Sequence, residues 1–193
     1  MPTRQPRKAI KAHATKKTRE RSWVAHHEAA HAVACLRLRP DAVHAVTIVA
    51  SGSTLGQVYG EHPLGSGRYD EHTRMWVPDV PVVEAAIIEL LAGYFGAVRS
   101  GCPPVSAKRH SSDDDEQVAA LLEYTRGTRR TFRGKAERFV EREWQAIVAV
   151  AQELLQHETL DDVEVELIAD VSRLQEARAD LMSYRHSRPH RPT

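Results

Sequence analysis

Cysteine is scarce in this chain of 193 residues, which contains only Cys35 and Cys102. Two cysteines are too few for the disulfide framework of a small secreted protein. Aromatic residues make up only 6% of the chain, and Gly and Pro contribute 10 residues each, so neither a disordered nor a collagenous composition fits. With 41% hydrophobic and 27% charged residues, the composition is typical of one globular domain with its own core.

Long apolar runs are also missing. The longest one, residues 85–98, has 14 residues and contains Glu89, whereas a membrane-spanning helix needs about 20 apolar residues. No segment with a charged start, an apolar middle and a cleavage site opens the chain. We therefore expect a cytoplasmic protein in a reducing compartment, without membrane insertion.

Positive charge is concentrated at the two ends of the chain. Residues 1–21 contain eight Arg and Lys residues against one Glu, and residues 185–193 contain three Arg residues. The net charge of +1 divides into +7 for residues 1–21, +3 for residues 185–193 and −9 for residues 22–184. We expect a disordered basic arm (1–21), one domain (22–184) and a basic tail (185–193). Such ends favour weak contact with nucleic acid or another acidic partner. A purely solvated role is favoured, because no aromatic residue interleaves the basic run for base stacking.

The hydrophobic pattern predicts a mainly helical protein with a small β-hairpin or sheet, an α+β fold. The first two helices are predicted from the N-cap Ser22 to about residue 38 and over residues 82–98. Two more are predicted from the 111–114 cluster to residue 125 and, as one long helix, from about residue 131 onward. The last is predicted over residues 163–184, with Asp161 or Asp162 as its cap. Residues 44–50 and 55–60 are predicted as the strands of a hairpin that turns near Gly52. Residues 60–80 are predicted to form a long surface loop.

The first predicted helix contains the motif His27-Glu28-Ala29-Ala30-His31, an HExxH sequence. Residues four apart lie on one face of a helix, so the imidazoles of His27 and His31 can bind one metal ion at about 2.0–2.1 Å. Glu28 is rotated by about 100° around the helix from His27, a position from which it can act as general base on a metal-bound water. The alternative is a pair of buried histidines without a metal. It is disfavoured because two imidazoles and a carboxylate are costly to bury without a partner.

A catalytic zinc ion needs a third protein ligand and an open position. The residues alone leave that ligand open. The candidates are Asp113, Asp114, Asp115, Glu116, Glu84, Glu89, His62 and His72. Cys35 is expected to belong to the core, because it lies about one turn too far along the helix. His26 is expected to be exposed to solvent.

Four segments, taken together and in order, resemble the peptidase domain of the FtsH-type ATP-dependent zinc metalloproteases. They are VAHHEAAHAV, VTIVASGSTLGQV, SSDDDEQVAALL and the stretch from Trp144 to Val165 with its Glu-Thr-Leu pattern. The resemblance implies a zincin-like fold, Zn²⁺ as cofactor, a polypeptide substrate, and Asp114 as the third zinc ligand, or Asp113 or Asp115 after a slip of one residue. It also implies a substrate that pairs with an edge strand beside the metal.

The sequence departs from that family in three places. Ala30 replaces a Gly of the usual HEAGH motif, and Tyr94-Phe95-Gly96-Ala97-Val98 replaces a charged Arg-Ala-Ala-Glu-Glu segment. The chain also contains no P-loop for ATP. We therefore expect a zinc endopeptidase that cleaves flexible or unfolded polypeptides and relies on a separate unfoldase or adaptor for folded ones. The alternative is a non-catalytic zincin-like module that binds a partner through its basic ends, which the presence of Glu28 disfavours.

Overall fold

The computed structural model describes residues 7–52, 54–170 and 182–186, which are mainly helical with two small antiparallel sheets. This confirms the predicted α+β class. The helices are α1 (Arg7–Leu38), α2 (Val80–Arg99), α3 (Pro104–His110), α4 (Ser112–Leu121), α5 (Arg129–Arg142), α6 (Trp144–His157) and α7 (Asp162–Asp170). The strands are β1 (Val43–Thr47), β2 (Gln57–Gly60), β3 (Gly67–Asp70), β4 (Met75–Pro78) and β5 (Thr159–Asp161). Short 3-10 helices lie at Pro63–Gly65 and Leu122–Tyr124.

The central helix is α1, which packs against α2 on one side and α6 on another. Residues 25–35 are all buried except His26. Many of them are alanines, whose small side chains let neighbouring helices approach closely. At the crossing with α2, a Cβ atom built on Gly96 would lie 2.6 Å from the Cβ of Ala30. The expectation that Cys35 belongs to the core is confirmed, and His27 and His31 are buried on the same helix.

Two details of the α1 prediction are wrong. The helix begins at Arg7 and not at Ser22, because the intervening residues contain neither Pro nor Gly and are rich in Ala, Lys and Arg, which favour helix. The expected disordered arm is thus helical from Arg7, while residues 1–6 lie outside the described residues. His26 is half-buried instead of exposed, because its ring stacks on Trp144 with centroids 5.6 Å apart.

The main sheet has the strand order β2-β1-β5, and both pairs are antiparallel. The predicted hairpin is confirmed, with Val46 opposite Val58 and Thr47 opposite Gln57. Gly52 in the turn has a φ of 60°, which suits glycine. Within the described residues no strand pairs with the outer edge of β2.

The prediction of a loop over residues 60–80 is wrong. This segment contains a 3-10 helix and a second hairpin, formed by β3 and β4. Most of its side chains are exposed, so it lacks the buried alternation that identifies a strand from sequence. Trp76 fixes it in place, since its Nε1–H donates a hydrogen bond to the carbonyl of Leu64 at 2.9 Å.

The long helix expected from residue 131 is in fact two helices, α5 and α6, separated at Glu143. No Pro or Gly marks this break. Tertiary packing accounts for it, since Trp144 packs between the ring of His26 and the guanidinium of Arg99. A third strand, β5, was not predicted. It follows Glu158, whose φ of 62° ends α6 and turns the chain towards β1.

The last predicted helix begins as expected but is described only in part. The side chain of Asp161 accepts a hydrogen bond from the backbone N–H of Glu164, and the Glu164 carboxylate accepts one from the N–H of Asp161. This capping box confirms Asp161 as the cap. Residues 182–186 are helical, and Arg185, the first residue of the expected basic tail, forms ion pairs with Glu153 and Glu164. The rest of that tail lies outside the described residues.

Helix α2 runs between two apolar clusters, one around α1 and α6 and one around α4 and α5. By length and composition alone it is long and apolar enough to cross a membrane. In this structure Val83, Ile87 and Leu91 are buried against α4 and α5, which accounts for its apolar composition. The same helix carries Glu89 and Gly93 to the candidate site.

Candidate metal centre

His27 and His31 point their rings to the same side of α1. Their Nε2 atoms are 3.0 Å apart, and both rings are more than nine-tenths buried. The ring of His31 is fixed by α2, because its Nδ1–H donates a hydrogen bond to the backbone carbonyl of Glu89 at 2.8 Å. Because Nδ1 is used in this bond, Nε2 is the nitrogen of His31 that can bind a metal.

Asp114, from the first turn of α4, completes the group. Its Oδ2 atom lies 3.3 Å from Nε2 of His27 and 3.4 Å from Nε2 of His31. Burial raises the pKa of Asp114, but the neighbouring histidines lower it by a larger amount. The net pKa is therefore below its ordinary value. The carboxylate is therefore ionised, as a metal ligand must be.

The spacing of these three donor atoms fits a metal ion. Two ligands of a tetrahedral ion, each at about 2.0–2.1 Å from it, lie about 3.3 Å apart. The distances of 3.0, 3.3 and 3.4 Å agree with that value. In addition, Oδ2 of Asp114 is buried and has no hydrogen-bond partner, although it is directed between two imidazole nitrogens. The His27–His31–Asp114 group can thus hold a metal ion.

The other residues considered as third ligands lie elsewhere. Asp113 is exposed at the rim. Asp115 does not belong to the group and pairs with Arg129 at 2.5 Å. Glu84 accepts a hydrogen bond from Thr125, and the Glu89 side chain pairs with Arg39 at 3.2 Å.

The remaining three candidates, Glu116, His62 and His72, are not part of the group either. Glu116 and His72 are exposed, and His62 lies at the rim of the cleft, where its ring accepts a hydrogen bond from the N–H of Leu64. Among the described residues, only Asp114 joins the two histidines.

Glu28 lies beside this group on α1, and 7% of its surface is exposed. Burial raises its pKa, although the two histidines act in the opposite direction. Its side chain lies in close contact with Gly56, the residue before β2. Glu28 is therefore held between the metal-ligand group and the outer strand of the sheet.

A cleft of about 540 Å³ opens over these residues. It is lined by the β2 segment, including Gly56, Gln57 and Val58, and by the end of α3 and the start of α4. The ion pair of Arg39 and Glu89 lies at the cleft and is mostly buried. The chemical groups of the site are thus accessible to a ligand.

Comparison with known proteins does not extend these observations. No protein-family model and no curated protein matches the chain.

Sequence reasoning missed several residues that shape the site. A Cβ atom on Gly93 of α2 would lie 2.3 Å from Nε2 of His31, so only glycine leaves room for the two imidazoles. Gly56 likewise leaves room for the side chain of Glu28. Arg39 was not considered as a site residue, yet it lines the cleft and its guanidinium donates to the backbone carbonyl of Glu61 at 2.8 Å. No local pattern marks these residues, because each meets the site from a different element.

Proposed function

We propose that this chain is a zinc-dependent endopeptidase of the FtsH-like, zincin type. The observation that carries the proposal is the position of Glu28, an acidic group of raised pKa beside three converging metal ligands and open to a cleft. A purely structural metal site is closed and needs no base next to its ligands. The four segments that resemble the FtsH-type peptidase domain support the same function.

The donor set supports zinc. Two imidazole nitrogens and one carboxylate oxygen are ligands typical of catalytic zinc, which keeps a fourth position open. His27, His31 and Asp114 would hold the ion. When bound, zinc supplies a water molecule of lowered pKa and polarises a carbonyl group.

Glu28 moves the proton in this mechanism. Its carboxylate accepts a proton from the attacking water and can pass it to the nitrogen of the departing amine. The raised pKa of Glu28 suits both steps, since a base works best when its pKa lies closer to the operating pH. Gly56 and the α1 backbone hold the carboxylate in place.

The substrate class follows from the outer edge of β2. This edge lines the cleft through Gln57 and Val58, and no strand of the described residues pairs with it. A polypeptide in extended conformation can add to such an edge through main-chain hydrogen bonds, which depend only weakly on side chains. Flexible or unfolded segments satisfy this requirement, whereas folded proteins need a separate unfoldase or adaptor.

The decisive experiment combines metal analysis with a cleavage assay. Purified protein is expected to contain about one zinc ion per chain and to cleave denatured casein, and Glu28→Gln is expected to retain the zinc while losing about 10²–10⁴-fold in rate. Zinc binding with no hydrolysis of any unfolded protein would favour the alternative, a regulatory zincin-like module.

A further inference from the structure

His110 is a part of the cleft that the proposed mechanism does not yet use. It is the last residue of α3, it is half-buried, and it lines the cleft together with His27, Glu28 and Asp114. No hydrogen bond between its ring and another described residue is present. A half-buried imidazole that faces a reactive site has a donor to offer to a ligand.

The junction between α3 and α4 fixes the position of His110. The N–H of Ser111 donates to the carbonyl of Ala107 at 3.1 Å, and the N–H of Asp115 donates to the carbonyl of Ser111 at 3.0 Å. The buried hydroxyl of Ser111 also donates to Ala107. Ser111 therefore joins the end of α3 to the start of α4, with His110 just before this junction and Asp114 in the turn after it.

His110 and Asp114 line the same cleft, His110 from the end of α3 and Asp114 from the first turn of α4. Glu28 lines this cleft from α1 and lies in close contact with Gly56, the residue before β2. The proposed base, the three ligands and His110 are thus brought to one cleft by different elements.

We propose that His110 is a catalytic residue that donates a hydrogen bond to the carbonyl oxygen of the scissile peptide as negative charge develops there. This inference rests on the proposed peptidase function. When water adds to the carbonyl carbon, the π electrons move onto the oxygen, and a donor directed at that oxygen stabilises the tetrahedral intermediate. Glu28 acts as the base in the proposed mechanism and accepts the proton of the attacking water, so the donor to the oxygen is assigned to a second group.

The environment of the ring agrees with this role. Burial lowers the pKa of His110, and His27 and Arg109 act in the same direction, whereas Glu20 raises it. A neutral imidazole carries one N–H donor and a protonated one carries two, so the ring offers a donor in either form. The proposal does not require the ring to change its charge during the reaction.

The test compares two variants of similar size. His110→Phe removes the donor and keeps a ring, whereas His110→Gln keeps an N–H donor. We expect His110→Phe to lower kcat for denatured casein by about 10²-fold, the usual effect of removing one oxyanion donor. KM and zinc content should stay at the wild-type values, and His110→Gln should retain more activity than His110→Phe.

A second readout separates this role from a structural one. A phosphinic peptide imitates the tetrahedral intermediate, so His110→Phe should weaken its binding, measured by calorimetry on the zinc-loaded protein, by a factor similar to the loss in kcat. His72→Ala, in the exposed turn between β3 and β4, is the control and should change neither value.

Three results would overturn the proposal. The first is a wild-type kcat in His110→Phe, and the second is a loss of activity that follows a loss of zinc. In both cases the wild-type protein remains an active peptidase and the proposed function stands. The third is a zinc-loaded wild-type protein that neither cleaves casein nor binds the phosphinic peptide, which refutes the proposed function together with this inference.

Discussion

Gly56 lies so close to Glu28 that a Cβ atom built on it would be 2.6 Å from Cγ and 2.7 Å from Oε1 of the glutamate. This contact links the segment before β2 to α1. Any larger residue at position 56 must displace either the β2 segment or the Glu28 carboxylate. The glycine is therefore required for the position of the proposed base.

We predict that Gly56→Ala lowers the rate of casein cleavage by about 10²-fold, since a shift of about 1 Å in a reacting group costs that much. Zinc content should not change, because Glu28 is not a ligand. Gly65→Ala is the matched control, since no atom lies within 4 Å of the Cβ position at Gly65. Full activity in Gly56→Ala would show that the Glu28 position is not critical.

The metal ligands differ in how far the sequence could identify them. His27 and His31 are four residues apart on one helix, so their convergence follows from helix geometry alone. Asp114 lies 83 residues after His31, in a run of three aspartates. The side chains of Asp113 and Asp115 are rotated from that of Asp114 by about 100° around α4, in opposite directions. Only the packing of α4 on α2 decides which of the three faces the histidines, so the residues alone could not select it.

This selection can be tested with isosteric variants. Asp114→Asn should weaken zinc binding by at least about 10²-fold, since even residues that only orient a metal ligand cost up to that factor. Asp113→Asn removes the same charge from an exposed side chain and should bind zinc nearly as well as the wild type. The measurement is competition with a chelator of known affinity. Equal zinc affinity in the two variants would assign the third ligand elsewhere.

The contacts that α2 makes with His31 are a second feature of the site that the sequence did not predict. Gly93 and the carbonyl of Glu89 meet His31 from a helix that begins 49 residues later. The helical pattern predicts that α2 is apolar and long, but it does not predict which turn of α2 crosses α1.

The β3–β4 hairpin was missed for a different reason. Both of its faces are largely exposed, so its sequence shows no alternation of apolar and polar residues.

Gly93→Ala should disrupt the metal group directly. Its Cβ would lie 2.3 Å from Nε2 of His31 and 2.8 Å from Cε1 of His27, so both rings must move. We expect a loss of zinc together with a loss of activity, whereas Gly56→Ala loses activity alone. Gly134→Ala, on α5, is the control, because its Cβ would meet only the guanidinium of Arg138 at 3.5 Å. Zinc retained at wild-type affinity in Gly93→Ala would contradict the assigned geometry.

Zinc binding should depend on pH through His31. In the metal-free protein burial lowers the pKa of His31, but Asp114, Glu28 and the Glu89 carbonyl raise it to about 10. Because this folded-state pKa is raised above about 6.5, protonation of His31 stabilises the metal-free fold. That contribution is fully present below pH 6.5 and is lost as the pH rises through 10.

The metal must displace the same proton. The apparent affinity for zinc should therefore rise by about tenfold for each pH unit between 6.5 and 8, the range in which His31 is still protonated. Calorimetric titrations in buffers of different ionisation enthalpy measure the released proton. A zinc affinity that is constant over this range, with no proton released, would show that His31 is already neutral in the metal-free protein.

Substrate engagement at the β2 edge gives the last prediction. Pairing with Gln57 and Val58 requires an extended polypeptide, and the chain has no Gly-rich phosphate loop with which to bind ATP and unfold a protein. Cleavage of a denatured protein should therefore proceed without nucleotide, while the folded form of the same protein resists cleavage. Addition of ATP should change neither rate, and addition of a separate unfoldase should make the folded form a substrate.

The measurement is the time course of degradation of both forms, with and without ATP. Glu28→Gln serves as the control that excludes a contaminating protease. ATP-stimulated degradation of the folded form by this chain alone would refute the prediction, because the energy for unfolding would then have to come from a site that the sequence does not contain.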